Sequence, residues 1–583
     1  MRIIPESLVV YHLFYFFFLF ICVSNLLFAN DPPKVRQIKV RGNHLFTERQ
    51  IVDLISNKRA SIFSIETLQS DLQKIRSCYY DRGYLLTEVY SKHTFSDDSS
   101  TVDIEYEIIE GEEITLGEII IEGNTVFPVD EILMQFNTKT ERPLQQDILE
   151  QDIKNLLDNY SRSGYPLASV NVTDISIQRK EGRNTLKLVV NIKEGQKVYI
   201  QEYQVRGNKE TKKDIILREV GIPKGEIYNQ DKIDKIPFRL NRLGIFSKVY
   251  LPELYLIENG GGLILRVEEG MTNSFDGVLG YVPKSASGEN GYLTGLLSVS
   301  MKNLFGTGRK LFLRWFKDGK YSQEIEGRYT EPWLFNFPLN LSCAFFQRRQ
   351  DTTYVQWFIE GKTEVRLSDF IILGGLGGYE SIIPSLTIAG NKVVRSRTTT
   401  AGLELQIDNR DDIRTPTSGV RYRSDYRVGI KRSFDNITAS PSWLTVQKFG
   451  LDVEVYIPLI QRQILVFSAH GRQINVPNPQ ISDMFRFGGA FSLRGFRENQ
   501  FIGSRVAWTN TEYRFLVERH SFVYGFFDAG YYLDQNSVEY LKYGYGAGVR
   551  LETGFGMVSV SFGLGKGDSF SQGKFHFGLM NEF

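Results

Sequence analysis

Hydrophobic and polar residues alternate through the second half of the chain, from about residue 272 to residue 583. In the segment 451–457 the odd positions are apolar and the even positions carry Asp, Glu and Tyr. The segment 558–565 repeats the alternation with Ser and Gly. A period of two is typical of a β-strand with one apolar face. Glycines and polar turns separate these segments, so the pattern predicts many antiparallel strands joined by turns.

Two architectures share this pattern. In a soluble sandwich the polar face would lie outside, whereas in a membrane barrel the apolar face meets lipid and the polar face lines the lumen. Two features favour the barrel. An apolar run at residues 8–21 follows Arg2, as in a secretory leader, and Phe575 and Phe577 occupy alternate positions before the terminal Phe583. The 312 residues of this region allow about 20 residues for each strand and turn of a sixteen-stranded antiparallel transmembrane barrel.

The first half has a different pattern, in which three anchors recur in one order. In the second copy, segment 145–163 has apolar residues at helical spacing and segment 185–192 alternates as a strand. Each copy therefore predicts an α+β unit with the order strand, helix, helix, strand, strand. The anchors are Gly42, Gly83 and Glu110 in the first copy, Gly123, Gly164 and Glu194 in the second, and Gly207, Gly244 and Glu269 in the third.

These patterns divide the chain into five parts. Arg2 and the apolar run predict a signal peptide cleaved after Ala29; the alternative is an uncleaved anchor helix, and either places the mature chain outside the cytoplasm. The predicted parts are a signal peptide at 1–29, repeats at 34–112, 115–196 and 198–270, and a barrel at 272–583.

Composition narrows the function classes. The chain has 69 Lys and Arg against 68 Asp and Glu, so no basic field indicates a nucleic-acid partner. Aromatic residues make up 13% and glycines number 52, which fits a barrel with aromatic girdles and many turns. Cys22 lies in the leader, and Cys78 and Cys343 are predicted to be free buried thiols rather than a disulfide or metal pair.

Catalytic patterns are sparse in this sequence. The six histidines form no HExxH pair, and neither a GxSxG elbow nor a complete phosphate loop is present. Asp408, Asp411 and Asp412 could suggest a cation site, but we interpret them as residues of a strand end or turn. The sequence therefore predicts no enzyme activity, no metal and no cofactor.

Four motifs in the second half carry a family resemblance. They are Lys302-Asn303-Leu304-Phe305-Gly306-Thr307-Gly308; Tyr329-Thr330-Glu331-Pro332-Trp333; Asp408-Asn409-Arg410-Asp411-Asp412 with Thr415-Pro416-Thr417-Ser418-Gly419; and Ser492-Leu493-Arg494-Gly495-Phe496 with Phe526-Phe527-Asp528-Ala529-Gly530. With these motifs the chain resembles the BamA/TamA superfamily of outer-membrane assembly proteins, in which POTRA repeats precede a surface-antigen-type barrel. The barrel-motif residues that we carry over are Asn303, Gly306, Gly308, Pro332, Asp408, Pro416 and Gly419.

The resemblance implies that Arg494, Gly495 and Phe496 form the tip of a long loop folded into the lumen. It also implies that Arg494 pairs with Asp528. Physical chemistry agrees, because a lumen arginine is costly unless paired and a guanidinium can grip one carboxylate at two points. The alternative is that Arg494 is one of many solvated lumen arginines.

The resemblance further implies a weak seam between the first and last strands, which we place at Ser274–Tyr281 and Lys574–Phe583. Gly277, Gly280 and Gly578 would remove packing there, and Phe583 would end the chain at the seam. Ordinary barrel curvature also accounts for these glycines.

The function that the resemblance implies is insertion or translocation of proteins at the bacterial outer membrane, with POTRA repeats in the periplasm. Clients would be unfolded outer-membrane or secreted proteins, added as strands to POTRA sheet edges. Accessory periplasmic, lipoprotein or inner-membrane TamB-like partners fit the same scheme, and three repeats suggest TamA more than BamA. The alternatives are a two-partner secretion transporter for one client, a surface antigen without transport, and a passive porin lined by residues such as Arg421 and Arg423.

Overall fold

The computed structural model describes residues 32–180, 183–282, 292–317, 319–385, 393–434, 441–553 and 556–582. The predicted signal peptide and the terminal Phe583 lie outside these residues. None of the helices in the described ranges is long and apolar enough to cross a membrane. The described residues form two compact units, one made of residues 32–200 with 225–231 and the other of residues 201–224 with the described residues between 232 and 582.

The first two repeats have the predicted order of elements. The first contains β1 (Lys34–Arg41), α1 (Glu48–Leu54), α2 (Ile65–Tyr80), β2 (Glu88–Phe95) and β3 (Thr101–Ile109). The second contains β4 (Thr115–Glu122), α3 (Val129–Gln135), α4 (Gln146–Arg162), β5 (Ser169–Lys180) and β6 (Arg183–Lys193). In both, the last strand is central in a three-stranded sheet, parallel to the first strand and antiparallel to the second.

The long helix of each repeat packs one stripe of side chains onto its sheet. α2 buries Leu68, Ile75 and Tyr79, and α4 buries the residues at equivalent positions, Leu149, Leu156 and Tyr160. These side chains share one helix face because their spacings are seven and four residues. The repeated sequence pattern therefore specifies the same small core twice.

The third repeat departs from the simple order. It contains β7 (Tyr199–Arg206), α5 (Lys213–Val220), β8 (Glu226–Ile227), α6 (Gln230–Asn241), β9 (Phe246–Val249), β10 (Glu253–Ile257) and β11 (Gly260–Glu269). β9 and β10 pair with opposite ends of β11. Pro252 lies between them, and a proline cannot donate to a strand ladder, so the predicted middle strand is divided in two.

The second half is a closed barrel of sixteen antiparallel strands, as predicted. Its first eleven strands are β12 (Asn273–Val282), β13 (Tyr292–Leu304), β14 (Arg309–Lys317), β15 (Gln323–Glu331), β16 (Leu339–Gln350), β17 (Tyr354–Arg366), β18 (Ile371–Pro384), β19 (Arg395–Asp408), β20 (Gly419–Phe434), β21 (Ser442–Pro458) and β22 (Gln463–Asn475). The chain then forms a small hairpin, β23 (Phe485–Phe487) with β24 (Phe501–Gly503), outside the barrel sheet. The last five barrel strands are β25 (Arg505–Leu516), β26 (Phe522–Leu533), β27 (Glu539–Thr553), β28 (Gly556–Gly565) and β29 (Lys574–Glu582).

Alternate residues of the barrel strands face lipid and lumen. On β16, Leu341, Cys343 and Phe345 are exposed on the outer face, whereas Ser342 is buried and its hydroxyl lies 2.8 Å from that of Thr330. The prediction of a buried thiol at Cys343 is therefore wrong. The thiol is free but lies on the lipid side, because its position has the parity of the apolar face. Cys78 is free and partly buried in the first repeat.

Candidate functional site

The loop between β22 and β25 folds inward, and its tip is held by a buried ion pair. The Arg494 guanidinium donates from Nε to Asp528 Oδ2 at 2.8 Å and from Nη2 to Asp528 Oδ1 at 2.7 Å. The backbone N–H of Arg494 donates to the same carboxylate at 3.0 Å, and the guanidinium carbon lies 3.8 Å from the ring centre of Phe526. Asp528 is fully buried. The structure thus brings together the two residues that the motif pairs.

Glycines make room for the backbone of this tip. Gly495 has φ +88°, and a Cβ there would lie 2.6 Å from the carbonyl carbon of Leu564. A Cβ on Gly544 would lie 2.0 Å from the Arg494 carbonyl oxygen, and one on Gly563 would lie 2.8 Å from the Gly495 nitrogen. Phe496 packs with Phe487, Leu493, Phe501 and Val506 in a buried cluster. The tip therefore lies in a slot in β27 and β28 that only glycines leave open.

Two contacts of the tip were missed by the sequence reasoning. Arg494 Nη1 donates to Glu512 Oε1 at 2.5 Å, and Glu512 also accepts from Arg514 at 2.8 Å. The Gly495 N–H donates to His576 Nε2 at 3.4 Å, which joins the tip to the last strand. Glu512 and Arg514 follow the lumen parity of β25, so alternation could have placed both inside but could not name their partner.

A second contact holds the loop at its shoulder. Lys431 on β20 is buried, and its Nζ lies 2.6 Å from both carboxylate oxygens of Asp483. Asp483 Oδ2 also accepts from the Gln480 N–H at 2.9 Å. The loop is thereby fixed at two places on the barrel wall, at β20 and at β25–β26.

The seam between β12 and β29 is short. Among the described residues, three pairs join the strands: Ser274 with Glu582, Phe275 with Asn581, and Asp276 with Met580. β12 pairs with β13 along all ten of its residues. The backbone edge of β12 after Asp276 therefore extends beyond the register with β29.

The predicted seam residues lie in these strands where they are described. Gly277 follows the last paired residue, and a Cβ there would approach Leu297 and Phe275 to 3.0 Å. Gly280 pairs with Thr294 of β13, and Gly578 pairs with Ser559 of β28. Neither glycine is in the register between β12 and β29. Phe583 lies outside the described residues.

The first barrel motif contacts the third repeat, within one compact unit. Asn303 Nδ2 donates to Thr211 Oγ1 at 2.9 Å, and its Oδ1 accepts from the Gly308 N–H at 2.8 Å. The Lys212 N–H donates to the Gly306 carbonyl at 2.9 Å. A Cβ on Gly306 would lie 1.9 Å from the Glu210 carbonyl oxygen, so this glycine permits the close approach.

The other motif residues build neighbouring turns. Pro332 lies near Gly308, with its Cγ 3.9 Å from the position of a Gly308 Cβ. Asp408 Oδ2 lies 2.8 Å from Arg242 of the third repeat, and Asp408 Oδ1 accepts from Arg410 at 3.0 Å. Pro416 is buried. Gly419 has φ +106°, and a Cβ there would lie 2.7 Å from the Arg410 Cα.

The aspartates after β19 accept hydrogen bonds within their own turn. Asp411 accepts from the N–H groups of Thr417 and Ser418, and Asp412 accepts from those of Arg414 and Thr415. In the described ranges, no group of three or more His, Cys, Asp or Glu side chains could hold a metal ion. The lumen arginines are paired too, Arg421 with Glu454 and Arg423 with Glu404.

A carboxylate at the end of the last strand stabilises each repeat. Glu194 accepts from the N–H groups of Thr125 and Val126 and from the Tyr160 hydroxyl, at 2.7 to 2.9 Å. Burial alone would raise the pKa of Glu194, but hydrogen bonds from Thr125 and Val126 hold that pKa below its usual range. Burial and the bond to Glu194 raise the pKa of Tyr160.

Glu269 plays the same part in the third repeat. It accepts from the N–H groups of Lys209, Glu210 and Thr211 at 2.7 to 3.2 Å, and these bonds lower its pKa against the opposing effect of burial. The loop that Glu269 holds is the one that contacts Asn303 and Gly306. Glu269 therefore shapes the surface that the barrel meets.

In each of the first two repeats, the second strand in sequence lies at an open edge of the sheet; these strands are β2 and β5. On the opposite edges, β1 is bonded at its start to Ala60 and Ser61, and Leu116 of β4 is bonded to Glu141 and Arg142. β5 is twelve residues long and exposes Val172, Ile175 and Ile177. An edge of this kind offers unpaired backbone groups beside apolar side chains.

The fold and its motifs define an outer-membrane barrel that carries periplasmic repeats. The family model described as "Surface antigen variable number repeat", POTRA, matches residues 33–111, 114–195 and 198–270. The model described as "Omp85 superfamily domain" matches residues 387–583. The chain belongs to the BamA/TamA superfamily, and its POTRA units lie in the periplasm.

Two named relatives and one solved structure are similar to this chain. The outer membrane protein assembly factor BamA of Nitratidesulfovibrio vulgaris (strain Hildenborough) is 23% identical over 611 residues, which cover 94% of this chain and 73% of that protein. The same-named protein of Neisseria meningitidis serogroup B is 23% identical over 345 residues, covering 56% of this chain and 42% of that protein. A solved structure, BamA from Haemophilus ducreyi lacking POTRA domains 1–3, has a TM-score of 0.49 at 15% identity and covers 80% of this chain and all of that chain.

The chain is shorter than most of these relatives. It spans 38 to 53% of the length of four curated relatives that it matches. Closeness to TamA in particular stays a prediction from the number of repeats.

Proposed function

We propose that this protein inserts unfolded client proteins into the outer membrane or translocates them across it. The observation that carries the proposal is the seam, where three residue pairs join β12 to β29. The other neighbouring barrel strands share between seven and fifteen described pairs. A short seam leaves backbone groups of β12 that an incoming strand can pair with.

The physical driving force is strand pairing in lipid. An amide–carbonyl hydrogen bond is worth about 4–6 kcal/mol in an apolar medium, so an unpaired strand edge at the membrane is unstable. A client strand that pairs with the exposed edge of β12 lowers this cost and moves into the bilayer. The mechanism assigns no catalytic step, metal or cofactor to any residue.

The β5 edge of the second POTRA unit is the proposed capture site. A client segment in extended form would add antiparallel or parallel to β5 through backbone hydrogen bonds, with little demand on its sequence. Ile175 and Ile177 would contact its apolar side chains. Accessory periplasmic, lipoprotein or inner-membrane TamB-like partners would bind the POTRA arm.

The proposal divides the chain into a signal peptide and four domains. The signal peptide is 1–29, the three POTRA units are 34–112, 115–196 and 198–270, and the barrel is 272–583.

Arg494, Gly495, Phe496 and Asp528 act in this proposal as a lock between loop and wall. The tip contacts β26, β27, β28 and His576 of β29, which form the C-terminal side of the seam. The lock would keep that side in shape while the N-terminal side, β12, exchanges partners.

A disulfide across the seam tests the proposal directly. The variant F275C/N581C joins two residues that face each other in register. We expect oxidation to abolish growth or client insertion, and reduction to restore it.

The chain offers a matched control for this staple. Native Cys343 faces Gly361 on β17, where an added Cβ meets no atom within 4 Å, so G361C can form a disulfide away from the seam. Equal activity of both oxidised variants would contradict an opening seam.

Controlled depletion separates the proposal from a dedicated transporter. A fall in many unrelated outer-membrane barrels marks a general assembly factor. Loss of a single secreted or surface client, with barrels unchanged, marks the two-partner alternative.

A further inference from the structure

The turn between β15 and β16 presents large apolar side chains without any charge. Residues 332–339 read Pro-Trp-Leu-Phe-Asn-Phe-Pro-Leu. Phe335 is 83% exposed and Phe337 is 67% exposed. Single exposed apolar residues are ordinary on protein surfaces, but here two exposed phenylalanines, two positions apart in an uncharged turn, form a local apolar patch.

The backbone of this turn is strained in a way that fixes its shape. Trp333, Phe335 and Asn336 have φ values of +51°, +54° and +63°. Side chains of this size rarely adopt left-handed backbone, and such residues persist where the surroundings hold them. The Asn336 N–H donates to Trp333 O at 3.0 Å and the Phe337 N–H to Leu334 O at 3.1 Å, which closes the turn.

Trp333 attaches the turn to the third POTRA unit. Its indole N–H donates to Glu219 Oε1 at 2.8 Å, and Glu219 Oε2 also accepts from Arg366 at 2.8 Å. The guanidinium of Arg218 lies 5.7 Å from the Trp333 ring centre. The side chain of Trp333 therefore contacts the third POTRA unit, whereas the side chains of Phe335 and Phe337 remain exposed.

The exposed side chains continue the lipid-facing surface of the barrel. Phe337 has the same parity as Leu341, Cys343 and Phe345, which are exposed on the outer face of β16. On the adjacent strand, the outward Tyr329 donates to Glu331, as in the aromatic girdle that barrels place at the membrane interface. The neighbouring turn between β13 and β14 carries Phe305, which is also 83% exposed.

We propose that this turn is a membrane anchor, in which Phe335 and Phe337, with Phe305 beside them, insert into the interfacial region of the periplasmic phospholipid leaflet. Exposed aromatic side chains on an uncharged segment favour this region. Because the same two turns bind the third POTRA unit through Trp333, Asn303 and Gly306, the anchor keeps that unit at the membrane surface on the β12 side of the seam. The anchor depends on the barrel's membrane location and not on the nature of the client.

Spin-label accessibility in phospholipid vesicles tests the anchor. The variant F335C is placed in full-length protein that carries C22S, C78S and C343S, and the nitroxide's collision rates with oxygen and with a neutral nickel chelate are compared. We expect an oxygen-to-nickel ratio severalfold above that of a water-exposed label and approaching that of a lipid-exposed one.

The chain supplies both references. Native Cys343, labelled with the other two cysteines replaced, lies on the lipid face, and E258C lies in the exposed turn between β10 and β11. An oxygen-to-nickel ratio for F335C equal to that of E258C would overturn the proposal and would favour a contact between Phe335 and another protein instead. If F335C does not fold, F337C carries the same test with the same references.

Discussion

Arg494 and Asp528 form a two-point ion pair inside the barrel, although Arg494 belongs to a loop and Asp528 to the wall. Removal of one partner leaves the other charge buried and unpaired, which costs about 3–5 kcal/mol. We expect R494A to lower the temperature at which the folded barrel loses its heat-modifiable gel mobility. R497A is the matched control, because Arg497 is exposed three residues away on the same loop.

Two further variants separate charge from geometry at this pair. R494K keeps the charge but loses the two-point fork, so its stability should lie between those of wild type and R494A. The exchange R494D/D528R should recover part of the loss if the pair acts as a simple lock. Equal melting of R494A and R497A would rule the lock out.

The contact between Gly306 and Glu210 predicts that G306A separates the third POTRA unit from the barrel base. The new methyl group would overlap the Glu210 carbonyl oxygen, and φ +67° is unfavourable for alanine. Hydrogen exchange should speed up at residues 209–213 and 303–308. G361A is the control, since an added Cβ at Gly361 meets nothing within 4 Å. Unchanged protection in G306A would contradict the docking contact.

Glu194 predicts a pH-dependent loop in the second POTRA unit. Its pKa is lowered in the folded protein, so the ionised carboxylate stabilises the fold above its ordinary pKa of 4.5, and this contribution is lost as pH falls through the lowered value. Exchange protection of residues 125 and 126, corrected for the intrinsic rate, should decline in that acidic range.

The variant E194Q tests the cause of that decline. Gln cannot supply an ionised acceptor, so protection should already be reduced at pH 7 and should change little on acidification. E122Q is the control, because Glu122 is exposed at the end of β4. If exchange protection depends on pH in the same way in E194Q and in wild type, the Glu194 carboxylate is not the cause of the decline.

Asp152 predicts local unfolding of the second unit when it is removed. The buried carboxylate accepts from the N–H groups of Asn137 at 2.9 Å and Thr138 at 2.8 Å. D152A would leave these donors without their acceptor at a cost of about 1–3 kcal/mol. Limited proteolysis should cut D152A faster within residues 115–196 than D158A, which removes an exposed carboxylate from the same helix. Equal cleavage rates in D152A and D158A would mean that water replaces the Asp152 carboxylate as the acceptor for these N–H groups.

Periodicity predicted the α+β repeats and a region of many antiparallel strands, whereas the sixteen-stranded barrel also depended on the leader, the aromatic C-terminal strand and the length of the region. The spacing of Leu149, Leu156 and Tyr160 defines one helix face, and the alternation around residues 451–457 defines one strand face. Such patterns depend only on the local backbone period. The pattern did not predict that the middle strand of the third repeat is divided into β9 and β10, because this division depends on a single residue, Pro252.

Contacts between distant strands could not be predicted in the same way. The pairing of Arg494 with Asp528 came from a family motif, whereas Glu512 and His576 depend on the register that places β25 and β29 beside the tip. Gly306 was predicted as a motif residue, but the need for a glycine there comes from the close approach of Glu210 in the third POTRA unit. Cys343 was assigned to the interior from general thiol behaviour, although its strand parity already indicated the lipid face.

The position of the lumen loop within the chain has a consequence for how the barrel folds. Arg494 precedes Glu512 and Asp528, and the glycine slot at residues 544, 563 and 565 comes later still. The full set of tip partners exists only once the last five strands, β25 to β29, have been made and aligned, so seating of the loop is among the latest events of maturation. Contacts between residues far apart in sequence also form slowly. A folding intermediate with a complete N-terminal sheet and an unseated loop should therefore accumulate, and its exposed arginine would distinguish immature from finished barrels.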